Sequence, residues 1–93
     1  MNFPQELAPD LDKECQFLWD EKKITDGNRE VAVSRLQDRD GSAVASYVRM
    51  RWANEGREQP YPWAEVKKEA NGLIRKAVED WQPTSRRTHL VQD

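Results

Sequence analysis

The stretch SYVRMRWANEGR, from Ser46 to Arg57, interleaves arginines with Tyr47 and Trp52. Those residue types in that mixture suit two kinds of chemistry. Guanidinium groups contact phosphates while aromatic rings stack on bases, as on a nucleic-acid surface. Trp, Tyr and Arg also dominate the hot spots of protein interfaces. A third reading is purely structural: Tyr47 and Trp52 are core, and Arg49 and Arg51 are solvated. The acidic whole, with a pI near 5.4, favours a protein partner over nucleic acid, because attraction to phosphate normally shows as a basic domain. Arg49, Arg51 and Trp52 are therefore the first candidate contact residues. Tyr61, held between Pro60 and Pro62 in REQPYPWAE, is the fourth. An aromatic in so restricted a loop anchors a partner or plugs the core beneath it.

The remaining residues with chemical potential are weaker candidates. His89 is the only histidine and stands in a polar stretch with no acid pattern around it. Cys15 is the only cysteine, so it forms no internal disulfide and no Cys-based metal site. It falls on the apolar stripe of a helical segment, which reads as a buried structural thiol. Asp38 to Ser42, DRDGS, loosely resembles the start of a calcium loop but lacks the later ligands and the bidentate glutamate. It reads better as a turn followed by a helix cap. No phosphate loop, nucleophile elbow or HExxH motif occurs. The expectation is a protein without catalysis, cofactor or metal.

Composition narrows the class. The chain has 93 residues, 37% apolar and 34% charged, with net charge −2. A chain this short buries only about 60 to 65 per cent of its unfolded surface, so its four tryptophans matter for the core. Charge is unevenly spread. Residues 1–28 hold seven acids and three bases, and residues 29–57 six arginines and four acids. These regions can pair within one chain, between copies as in a homodimer, or with a partner. The N-terminus has neither the basic nor the apolar region of a signal peptide, and no apolar run approaches the roughly 18 residues of a membrane span. The expected location is the cytoplasm.

The elements that must position the candidates follow from spacing. Leu11, Cys15 and Leu18 predict a helix over residues 10–23, with acids early and lysines late as the helix dipole favours. Trp63, Val66, Ala70, Leu73, Ala77 and Trp81 predict a long helix from Pro62 to Gln82, with those six on its buried face. Gly72 would then mark a close approach of another element. Residues 1–9 read as an extended arm and residues 84–93 as a flexible polar tail.

The middle admits two readings. Asp26-Gly27 and Asp40-Gly41 are hairpin turn pairs, and residues 44–52 alternate as a half-buried strand would. Against this, Thr25 and Ser42 stand where helix caps would, Gly56 where a C′ glycine would, and the residues between are mostly helix formers. The helical reading is preferred: a turn, then a capped helix, a break at Asp40-Gly41, and a second capped helix. The predicted fold is mainly α, one small domain of about four helices spanning residues 1–93 and closed by the long C-terminal helix. The alternative is α+β, with a three-stranded antiparallel meander packed on that helix.

The expected function is binding to another protein, as an inhibitor or adaptor. A nucleic-acid-binding regulator using residues 46–57 is the alternative. A self-assembling structural protein is the third, should the tryptophan stripe exceed what one small core can bury. Size, charge and lack of catalytic motifs resemble small accessory proteins of phages and mobile elements, such as inhibitors of host defence. The likeness is one of composition and carries no residue across.

Overall fold

The computed structural model describes the backbone of residues 5–91 and the side chains of residues 6–87. Among the described residues there are four α-helices and no strand: α1 Leu11–Asp20, α2 Glu30–Asn54, α3 Trp63–Asp80 and α4 Thr84–Val91, preceded by a 3-10 turn at Gln5–Leu7. The mainly helical reading holds and the meander does not. Of the expected N-terminal arm, residues 1–4 lie outside the described residues, and Leu7 and Ala8 pack on the core.

The turn at Asp26-Gly27 satisfies part of both readings of the middle. Thr25 and Asn28 exchange backbone hydrogen bonds of 2.8 and 3.2 Å across it, which makes one isolated bridge and no hairpin. Thr25 is not the cap. The first N–H of α2, on Glu30, donates to the side-chain oxygen of Asn28 at 3.1 Å.

From there α2 runs unbroken through Asp40-Gly41, correcting the expected break and the Ser42 cap. Ala32, Val33, Leu36, Val44, Ala45, Val48 and Trp52 are all buried on one side of it. A break at Gly41 would split that face, and a glycine inside a helix costs only about 1 kcal/mol. Burial of a continuous apolar face outweighs so small a local preference.

Helix ends are set by identifiable geometry. Gly56, at φ 80, closes α2: its N–H donates to Ala53 O and that of Arg57 to Trp52 O, both at 3.1 Å, the paired pattern of a Schellman end. Lys22 ends α1 in the same way at φ 60, with Lys22 N–H on Trp19 O and Lys23 N–H on Leu18 O. Here a side chain occupies the left-handed region that favours glycine.

Helices α2 and α3 lie antiparallel. Arg75 pairs with Glu30 at 2.7 and 2.8 Å, and Gln37 donates to Asn71 O at 3.2 Å. The face of α3 against the core is Val66, Ala70, Ile74 and Val78, all buried. That row advances in steps of four, so Leu73 falls on its edge, half-buried. Trp63 is 59% exposed, contrary to expectation. It is the first residue of α3, at the end of the hairpin where the loop joins α2 to α3, and the ring that covers Trp52 there is Tyr61. Gly72 is exposed with nothing near its missing side chain, so no element approaches it.

Helix α1 lies along the first half of α2, where Glu14 pairs with Arg35 at 3.3 Å and Arg39 at 3.0 Å. The stretch expected to be a polar tail forms α4 over Thr84–Val91. Arg86 pairs with Asp26 at 2.9 and 2.8 Å, and Arg87 with Asp12 at 2.9 Å. Much of the acidic head and the arginine-rich middle is thus paired within the chain. No helix among the described residues is long and apolar enough to cross a membrane.

Candidate protein-binding face

The second half of α2 turns one side inward and the other to solvent. Val44, Val48 and Trp52 are buried; Ser42, Ala43, Ser46, Arg49, Met50 and Ala53 are exposed. The loop between α2 and α3 returns beside the exposed side, and Gln59 and Tyr61 form its wall. The result is an open groove of about 230 Å³ lined by Ser46, Arg49, Met50, Ala53, Gln59 and Tyr61.

Tyr61 is fixed from below. Its ring meets that of Trp52 edge-on, with centroids 5.6 Å apart, a favoured geometry for aromatic pairs. Its hydroxyl donates to Arg57 O at 3.3 Å. Arg57 in turn lies 4.4 Å from the centre of the Trp52 ring, a cation–π contact. Trp52 itself is 5% exposed.

The four sequence candidates therefore separate. Arg49 and Tyr61 come together in the groove. Trp52 is core and supports Tyr61 from beneath. Arg51 lies on another flank of α2, 5.9 Å from the centre of the Tyr47 ring and 3.8 Å from Glu55. Met50, 60% exposed, and the small Ser46 and Ala53 were not singled out in the sequence. They share a helical face opposite Val48 and Trp52, and that periodicity is the sign by which they can be found.

Arg49 differs from the other arginines. Of the nine in the chain, the other eight each form an ion pair. Among the described residues Arg49 has no such partner.

The remaining polar centres have structural explanations. Arg29 is buried: its guanidinium donates to Val78 O at 2.9 Å and to Trp81 O, and pairs with Asp26 at 3.1 Å. It lies 5.9 Å from the Trp19 ring centre and 5.7 Å from that of Trp81. It thus adds a second donor to Val78 O, which also accepts from the Trp81 N–H at 3.2 Å, and supplies a donor to Trp81 O just past the end of α3. Asp26 is held down to about 2, mainly by its hydrogen bonds from Arg86 and also by Arg29. Burial pushes the Cys15 thiol up to about 11, which disfavours the nucleophilic thiolate. Asp38 to Ser42 lies inside α2, so it forms neither a turn nor a calcium loop. Burial raises the Asp40 carboxyl above its ordinary value. Among the described residues no group of three or more His, Cys, Asp or Glu side chains is placed to hold a metal ion. The side chain of His89 lies outside the described residues.

Comparison with protein-family models, curated proteins and solved structures finds no match.

Proposed function

We propose that this is a non-catalytic protein that acts in the cytoplasm by binding another protein, as an inhibitor or adaptor. The binding face is the exposed side of α2 over residues 42–53 together with Tyr61. An inhibitor of host defence carried by a phage or mobile element is the narrowest form of the proposal, and it rests on composition.

One observation carries the reading: the exposed side of α2 loses its charge halfway along. In the first half the exposed positions are Glu30, Val31, Ser34, Arg35, Asp38 and Arg39, four of six charged. In the second half they are Ser42, Ala43, Ser46, Arg49, Met50, Ala53 and Asn54, one of seven charged. A helix that faces only water carries polar and charged residues on its outer side. The absence of Glu, Asp and Lys beside Met50, Arg49 and Tyr61 fits an interface core, and the Ser and Ala among them, which interfaces use sparingly, leave room for close approach. The groove residues include no carboxylate, thiol or imidazole, the usual groups of acid–base catalysis. The pairing of eight arginines within the chain counts against a phosphate-binding surface. Arg49 and Tyr61 remain contact residues of the proposal, Trp52 supports Tyr61 from beneath, and Arg51, on another flank, stands outside the groove.

The test is site-specific photo-crosslinking in the organism that carries the gene. A crosslinker replaces Met50 or Ala53, and control positions are Lys67 and Lys76 on α3. The reading expects one discrete protein adduct from α2 and none from the controls. Adducts from α3 alone, or crosslinks to nucleic acid, would contradict it.

A further inference from the structure

We propose that the groove receives an amphipathic helix of the partner protein, with a carboxylate beside its apolar stripe that pairs with Arg49. This inference rests on the protein-binding reading and names the element that does the binding. Three observations lead to it. First, the face is shaped for a helix. Ser46 and Ala53 are small and lie either side of the exposed Met50, so a second helix can approach at the usual 8 to 10 Å. Residues 42–53 supply about three turns of contact, roughly 16 Å. Second, no strand exists among the described residues, so a partner strand has no sheet edge to join, and a single half-buried tyrosine is less than the aromatic-lined groove a proline-rich segment docks on. Third, Arg49 forms part of the groove wall and has no ion-pair partner among the described residues, whereas the other eight arginines are paired. An arginine covered by a partner without a counter-charge is strongly unfavourable, so the partner must bring one. A second copy of this chain docked face to face does not. The groove lining holds no acid, and symmetric docking would add a second Arg49 to the first.

The experiment uses a displayed library of helical peptides about four turns long, with an apolar stripe and randomised flanking positions. It is selected on the full chain. Winners are expected to carry Asp or Glu beside the stripe. They should bind about tenfold more weakly to Arg49→Gln and lose binding to Met50→Asp. Both substitutions are at exposed positions, and circular dichroism verifies that the fold is kept. Replacing the winning carboxylate by its amide should abolish the preference for wild type over Arg49→Gln. Winners without acids, winners indifferent to Arg49→Gln, or enrichment only from a matched proline-containing library would overturn the proposal, as would no enrichment at all. If Met50 still crosslinks to a protein after such a failure, protein binding stands and only the acidic helix is wrong.

Discussion

Removing the Arg29 guanidinium while keeping the side chain's apolar bulk isolates the contact that fastens the start of α2 to the end of α3. Arg29→Met does this. The substitution removes the Arg29 donor from Trp81 O and from Val78 O, which keeps only the Trp81 N–H, and hydrogen bonds to charged groups contribute about 1.5 to 3 kcal/mol each. Two cation–π contacts to Trp19 and Trp81 add about 0.5 to 1 kcal/mol each. The pair with the exposed Asp26 adds little. Water entering the site offsets part of the loss, so the expected destabilisation is about 3 to 5 kcal/mol, the range for breaking a buried charge network. Domains of this size hold only about 5 to 15 kcal/mol in all. Urea unfolding followed by tryptophan fluorescence reads the change, since Trp19 and Trp81 lie beside the substituted group. With a slope of about 1 to 1.5 kcal/mol per molar urea, the midpoint should fall by about 2 M or more. Arg29→Lys keeps a charge, and one ammonium can serve both carbonyls as Nη1 does, but it loses the second nitrogen's bond to Asp26 and the planar contact with Trp19 and Trp81, so its midpoint should fall between the two. An unfolding free energy for Arg29→Met within about 0.5 kcal/mol of wild type would mean that water replaces the guanidinium without loss, and the account of this junction would be wrong.

Other expectations follow from particular residues. Ile74→Ala should destabilise by about 2 to 5 kcal/mol because the side chain is fully buried, and thermal melts should show Leu73→Ala, at the half-buried edge, falling clearly less. Gly41→Ala should raise stability by about 0.5 to 1 kcal/mol, because the site is helical and open; a lower melting temperature would show that α2 needs a hinge there. Asp26 titrates lower in the folded chain than its ordinary value, so it contributes stability above pH 3.8 that is lost as pH falls toward about 2. Acid melts should therefore show a steep loss over that window in wild type and a shallower one in Asp26→Asn.

The helical class was legible because the apolar spacing of residues 11–18 and 66–78 is helical whatever lies around it. The Gly56 stop was legible because glycine takes the positive φ of such an end without steric cost, and the same end at Lys22 was not, because a lysine gives no such sign. The turn at Asp26-Gly27 was legible for a similar local reason. The break at Asp40-Gly41 was misjudged because turn and cap propensities are small beside the burial of Val44, Val48 and Trp52 on the line already set by Leu36. Helix α4 was missed because its anchors, Asp26 and Asp12, lie far away in sequence and Arg86 and Arg87 give no sign of them. Trp63 was placed in the core by spacing alone, but spacing does not say where the opposing helix ends. The sequence groups Arg49, Arg51 and Trp52 because composition cannot tell the sides of a helix apart, whereas the fold buries Trp52 and half-buries Arg51. Only the fold shows that the outer side is the one with Met50 and with Arg49, which has no ion-pair partner among the described residues.

The most direct test of the central claim is the affinity of the crosslinked partner, once purified, for wild type, Met50→Asp and Lys76→Asp by calorimetry. A charge placed at the centre of an interface typically loses 2 kcal/mol or more, about thirtyfold. The account predicts a loss of that size for Met50→Asp and an unchanged affinity for Lys76→Asp, with both variants folded. Equal affinity of Met50→Asp and wild type would contradict it.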